Sequence, residues 1–383
     1  MRRRAGLFAA GMAGAVAGAL LVLALPVPGS REPSDGRAPD VRPAEIDTLL
    51  VWTPSQIPSG LPERIEDLRS VSRLTVVRSG VVWLQPDDRG PGALAFPVEV
   101  AAVDTATYRD FVPPADRATI AGLRADGAVV GRSSASLHGL AIGDRVRLSR
   151  GGGGLTVEGV LEDTLVGAHE FVVGLKQGAR LGIARPRYIL VEPLTEADPS
   201  RVEASIRRVV PNAVRVRVRT PGETPVFRHG DAVLPQVEIK ELFGEFAAAP
   251  ASDGTLDLAE GWVRRNIRTA PVPVLGEVRC HRLVIPMIRA ALEDLESRGL
   301  GRLVDPADYG GCFYPRFIAS DPGSGISRHS WGIAIDINVS EGLPGRQPTL
   351  DKRIVEAFER QGFIWGGRFL IPDGTHFEFQ RFP

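Results

Sequence analysis

The chain has 383 residues, enough for two domains with cores of their own. Its 46 Lys and Arg balance its 46 Asp and Glu, which removes the electrostatic case for nucleic acid. A 43% hydrophobic and 24% charged composition is that of a globular protein, and 31 Pro and 43 Gly mixed among aliphatic residues speak for loops and linkers rather than wholesale disorder.

Residues 1–4 are basic and residues 5–25 form an uncharged, mostly apolar run. About 20 such residues cross a bilayer as a helix. The arginines orient the N-terminus toward the cytoplasm. Leu23-Ala24-Leu25-Pro26 lacks a clear Ala-x-Ala cleavage signal, so residues 1–25 are expected to be an uncleaved transmembrane anchor, with a cleaved, secreted form as the alternative. Either reading places the remainder outside the cytoplasm. Residues 26–43 read as a Pro-rich linker.

Residues 44–225 read as a mixed α/β domain. Strands are expected at 74–77, 81–84, 98–103, 145–148, 155–160 and 214–218, and a helix at 199–210 with Val202, Ile206 and Val209 on one face. Gly151 to Gly154 lack the Gly-Lys-Ser/Thr of a phosphate loop and read as a hairpin turn. His138 and His169 have no ligand-spaced partners and are expected at the surface. No catalytic constellation falls in this stretch.

A linker at 226–236 leads into residues 237–383. Charged residues among apolar ones make 237–246 a lead-in strand or loop. Residues 281–298 pattern as a helix, with Pro286 in its first turns and Gly299 as its stop. Residues 351–361 pattern as a shorter helix with Ile354, Val355 and Phe358 inward. Cys280 and Cys312 are not spaced as metal ligands; in an exported domain they are expected to form a disulfide, and otherwise to be buried thiols. His281 beside Cys280 is not expected to bind metal.

Two further stretches carry chemistry. In residues 332–338 the isoleucines alternate with Gly, Ala, Asp and Asn, the period of a strand whose Ile face enters a core. Asp336 lies on the other face among small neighbours. His329 is too far from Asp336 to share a metal on a helix, where seven residues rise about 10.5 Å. As a loop entering a strand the same spacing works. In His376-Phe377-Glu378-Phe379 the logic repeats, with His376 and Glu378 opposite the two Phe. His329, Asp336 and His376 make a three-ligand set for zinc that leaves a position for water. Asp373, three residues before His376, is a carboxylate placed to take that water's proton.

The run from Ser327 to Asp336, S-x-H-x-x-G-x-A-x-D, followed by an acid-x-x-H at Asp373 and His376, resembles the zinc peptidases of bacterial cell walls. These include D-alanyl-D-alanine carboxypeptidases and dipeptidases and L-alanyl-D-glutamate endopeptidases. The resemblance covers roughly residues 238–383. It implies zinc on His329, Asp336 and His376, Asp373 as general base, and Arg316 in Tyr314-Pro315-Arg316 as the group that holds substrate and steadies an oxyanion. Several members carry Glu at the base position, so Glu378 stands as the alternative to the shorter Asp373. Ser327, Asn338 and Glu378 are candidates for hydrogen bonds to ligands or substrate, and Trp365 is either core or a wall of the groove. The implied substrates are peptidoglycan peptides, with carboxypeptidase and endopeptidase both open. Residues 130–135, 140–146 and 157–160 are similar to the extracytoplasmic core domain of MacB-type ABC-transporter permeases, which implies a protein-contact or positioning role for 44–225. The expected architecture is α+β, a zinc peptidase domain with a small antiparallel sheet and flanking helices, preceded by a separate α/β domain and a membrane helix. The rival reading is a membrane-anchored cell-wall binding or scaffold protein with a structural zinc.

Overall fold

Strands of alternating burial build the first half of the protein. The computed structural model describes residues 48–53, 56–85, 94–148, 153–211, 214–219, 234–342 and 344–383. The expected anchor, both linkers up to residue 233 and part of the glycine run lie outside the described residues. Among the described residues no helix is long and apolar enough to cross a membrane.

Nine strands form one sheet: β1 (Leu49–Trp52), β2 (Val71–Gln85), β3 (Phe96–Val103), β4 (Gly127–Gly131), β5 (Arg145–Leu148), β6 (Gly154–Leu161), β7 (Phe171–Gly174), β8 (Pro186–Pro193) and β9 (Arg217–Arg219). Their order is β3-β7-β4-β6-β5-β2-β8-β1-β9, and β3 also pairs with β2, so six strands close into a ring. Closure removes their free edges. β6 shows why these residues make a strand: every second side chain, Leu155, Val157 and Leu161 among them, is buried. The ring interior is filled by Val98, Val100, Val130, Val157, Phe171 and Val173. The two expected strands at 74–77 and 81–84 are one long β2, which serves β8 with its first half and β3 and β5 with its second.

The second half is a mixture of short sheets and helices. β10 (Ala248–Pro250) pairs with β11 (Leu256–Leu258), β12 (Ile267–Val272) with β13 (Gly276–His281), and β14 (Ala334–Asp336) and β15 (Phe363–Trp365) flank β16 (His376–Phe379). The helices Ile285–Ser297 and Lys352–Arg360 cover the core, burying Ile288, Leu292 and Leu295 from one and Ile354, Val355 and Phe358 from the other. The first starts later than the hydrophobic pattern implies, because His281 ends β13 and Pro286 sits in the opening turn, where its missing N–H is tolerated.

Residues 237–246 are not a strand or loop. They hold the helix Gln236–Phe243, with Val237, Ile239, Lys240 and Phe243 buried. Lys240 disguised the period, since a lysine occupies a core position. Its ammonium donates to both carboxylate oxygens of Glu170 (2.9 and 2.7 Å) and lies 2.7 Å from Glu245 Oε1. Glu170 in turn accepts from the Gln236 side chain and the Glu99 backbone N–H. His138 and His169 are also not surface residues. His138 Nε2 faces Glu245 and Glu170 at 3.6 and 3.8 Å, and His169 is buried against Tyr188. Burial opposes charge on Lys240 and Glu170 alike, yet their mutual attraction keeps the lysine above its usual range and the glutamate below.

This buried cluster joins the two halves. So does the apolar core, in which Trp83 and Ala95 of the first half pack with residues of the second, Trp83 meeting Phe317 edge-on. All described residues fall in one compact unit. Lys240→Ala strands two buried carboxylates and is expected to cost about 3–5 kcal/mol. Guanidinium unfolding of the variant reads it directly, and an unshifted midpoint would mean that the cluster contributes nothing.

Candidate functional site

Three short elements deliver the polar centre. Ser327 caps a 3₁₀ turn, Arg328–Trp331, its hydroxyl accepting from the His329 N–H at 3.4 Å. Trp331 anchors that turn, buried against Phe246 with its indole N–H donating to the Gly244 carbonyl. Gly332 ends the turn at φ +68, and a Cβ there would lie 2.7 Å from the His281 backbone nitrogen, so only glycine fits. The expected strand over 332–338 therefore shrinks to β14. Its isoleucine face holds, with Ile333, Ile335 and Ile337 all buried.

Strand pairing does the rest. Asp336 on β14 lies directly opposite His376 on β16. His376 Nδ1 is 2.8 Å from Asp336 Oδ1, His329 Nε2 is 3.2 Å from Asp336 Oδ2, and the two imidazoles approach to 3.3 Å. One donor atom from each residue lies within 4.8 Å of the others. The outward-facing ring nitrogens are occupied as well. His329 Nδ1–H donates to the Cys312 carbonyl at 2.9 Å, which leaves its Nε2 lone pair for the centre, and His376 Nε2 lies 3.5 Å from Glu378 Oε2.

Cys312 is bonded to Cys280 across a separation of 32 residues, which ties the carbonyl under His329 to β13. A crosslink of that span stabilises by about 3–4 kcal/mol in the chain-entropy account. Burial pushes the Asp336 carboxyl up, but hydrogen bonds from both histidines outweigh it and hold the group well below the usual carboxylate range. Burial likewise pushes His376 down, while Asp336 and Glu378 lift it to about 10. The centre is thus built to hold positive charge. Two imidazole nitrogens and a carboxylate oxygen, convergent and backed by second partners, are donors that fit zinc.

The centre opens on a cleft of about 590 Å³, whose lining includes Arg316, Ser327, Asp373 and Glu378. Asp373 sits on a turn whose N–H donates to Gly366 O, and the Thr375 hydroxyl donates to its carboxylate at 3.3 Å. The Arg316 guanidinium lies over Tyr314 and donates to the Phe317 carbonyl. Trp365 is not among the residues lining the cleft. It packs against the core, and its indole N–H donates to Gly374 O at 2.8 Å, bracing the turn that carries Asp373. Asn338 also points elsewhere, its amide bonded to Asp305, Leu303 and Glu341. His281 is a core histidine, held between Phe243 O and the Leu283 N–H.

A second acid and histidine cluster, His138, Glu170 and Glu245, has ligand-like spacing, but the Lys240 ammonium fills it. Sequence reading missed Tyr309, whose buried hydroxyl has no hydrogen-bond partner among the described residues. Burial first and Asp336 second push its pKa up to about 12. It also missed the far wall of the cleft, where Trp52, Val81, Glu99, His169 and Arg187 come from the first half of the chain.

Residues 320–379 match the D-alanyl-D-alanine carboxypeptidase family. The matched segment contains Ser327, His329, Asp336, Asp373, His376 and Glu378, and begins after Arg316. A comparison with curated proteins gives no match. Among solved structures, the chain is similar to the periplasmic region of MacB from Actinobacillus actinomycetemcomitans, at TM-score 0.35 and 10% identity over 45% of this chain and 88% of that one. It is also similar to a domain of a permease protein from Porphyromonas gingivalis, at TM-score 0.30 and 16% identity over 47% and 88%. The extracellular domain of the ABC-type transporter YknZ from Gram-positive bacteria gives TM-score 0.32 and 10% identity over 45% and 99%. None of these structural likenesses, all under a TM-score of 0.5, bears on what the chain does.

Proposed function

We propose that this protein is a zinc-dependent peptidase that hydrolyses bonds involving D-amino acids in peptidoglycan stem peptides, in the manner of a D-alanyl-D-alanine carboxypeptidase. The observation that carries the reading is the convergence of His329, Asp336 and His376 at the floor of a cleft that Asp373 and Arg316 also line, within and beside the segment matching that family. His329, Asp336 and His376 would hold the metal. A zinc ion bound there supplies Lewis acidity, which polarises a carbonyl and lowers the pKa of water toward about 7.

The chain's own residues do the remainder. Asp373, braced by Trp365 and Thr375, takes a proton from the attacking water and hands it to the leaving amine. Arg316 offers a guanidinium to the oxyanion or to a substrate carboxylate. Glu378 holds His376 through Nε2, and the Cys312 carbonyl holds His329 through Nδ1. The disulfide fits an oxidising compartment, so the peptidase would act outside the cytoplasm, with residues 1–25 as its membrane anchor.

The test uses the full chain, zinc-loaded or chelator-stripped, incubated with muropeptides whose products are identified by mass. Zinc-dependent loss of one terminal D-alanine is the expected result. An internal cut would instead make it an endopeptidase. Stoichiometric zinc without any product would sink the enzymatic reading in favour of a wall-binding scaffold.

A further inference from the structure

Part of the cleft lining comes from the nine-stranded sheet, and one of its residues has the chemistry of a ligand site. Arg187 lies on β8, half-buried, and lines the same cleft as His329, Asp336 and His376. Among the described residues no hydrogen bond or close ion pair engages its guanidinium, although five N–H donors are presented there. Burial is the main influence on it and works against its charge. A partly desolvated arginine facing a cleft recovers most when an anion docks on it.

Its neighbours sharpen this. Arg185, just before β8, is paired with Asp321 at 2.7 Å. Asp321 is further committed to the Gly323 N–H and the Ser324 hydroxyl. Arg328, another cleft arginine, is tied to the Ile326 and Leu234 carbonyls. Glu99 on β3 attracts the Arg187 charge, Asp321 does so less, and burial outweighs both. Arg187 remains without such a tie among the described residues, and Arg316, bonded once to the Phe317 carbonyl, lines the same cleft.

We infer that Arg187 is a specificity-determining residue, which binds a second carboxylate of the peptide substrate while Arg316 and the metal centre handle the scissile end. This rests on the peptidase reading. The preferred substrate is then a peptide carrying an acidic residue upstream of the cut bond, with that acid free rather than amidated. A fork of two charge-assisted hydrogen bonds favours the free acid by about tenfold to a hundredfold.

The experiment compares two synthetic peptides ending in D-Ala-D-Ala, one with a free upstream side-chain carboxylate and one with its amide. The zinc-loaded full chain is expected to favour the free acid by that factor in kcat/KM, mostly through KM. Arg187→Met should bring the ratio to about one, and Arg187→Lys should restore part of it. A wild-type ratio in both variants overturns the inference and leaves the peptidase reading intact. Should Arg187→Met not fold, the lysine variant decides alone, and an undiminished ratio in it is the overturning result. If the wild type cleaves neither peptide the peptidase reading fails, and calorimetric binding of the same pair to the chelator-stripped chain settles the subsite. Equal affinity for acid and amide would then reject Arg187 as an anion reader.

Discussion

His376→Ala is expected to leave a folded protein that no longer retains stoichiometric zinc, with peptide hydrolysis at background. His376 contributes one of three converging donors, and its loss also removes one of the two histidine contacts, beside that of His329, that hold Asp336 ionised. The surrounding strand survives, because Phe377 and Phe379 supply its buried face and β16 stays paired on both sides. Metal content after dialysis, measured by elemental analysis beside a thermal melt, is the check. Wild-type zinc in the variant would remove His376 from the ligand set and with it the proposed mechanism.

Asp373→Ala separates metal from turnover. The aspartate is outside the converging triad, so zinc is expected to stay while kcat falls by about 10²–10⁴, the usual contribution of a general base. Glu378 is the competing base. Its oxygen lies 3.5 Å from His376 Nε2, on the side of the ring away from Asp336, an arrangement suited to orienting a ligand. Glu378→Gln should therefore weaken zinc affinity by about 10–100-fold rather than remove proton transfer. Near-normal turnover in Asp373→Ala, together with a collapse in Glu378→Gln at saturating zinc, would exchange the two roles.

Much of this centre was legible because strands alternate. Period two alone put Asp336 and His376 opposite their apolar faces, and the spacing to His329 excluded a helix. What periodicity does not encode is register. That Asp336 pairs with His376, and that Cys312 lends its carbonyl to His329, are facts of tertiary packing with no local signature. The same limit explains Lys240 and His138. A charged or titratable side chain reads as solvated unless its counter-charges are known, and here one of them, Glu170, lies 70 residues before Lys240. Trp365 was ambiguous for a related reason: an indole serves equally as filler or platform, and only its bond to Gly374 decides. The far wall was invisible altogether, since Arg187 precedes His329 by more than a third of the chain.

The lysine buried between the two halves has an evolutionary consequence. The two halves of a chain are commonly thought of as interchangeable parts, free to be traded between genes. Here the trade is restrained, because a front half without an acid at the place of Glu170 would leave the buried Lys240 ammonium with Glu245 as its one remaining carboxylate partner among the described residues. A change at Glu170 is therefore expected to need a matching change at Lys240, and residues 234–383 expressed alone would lack that counterweight.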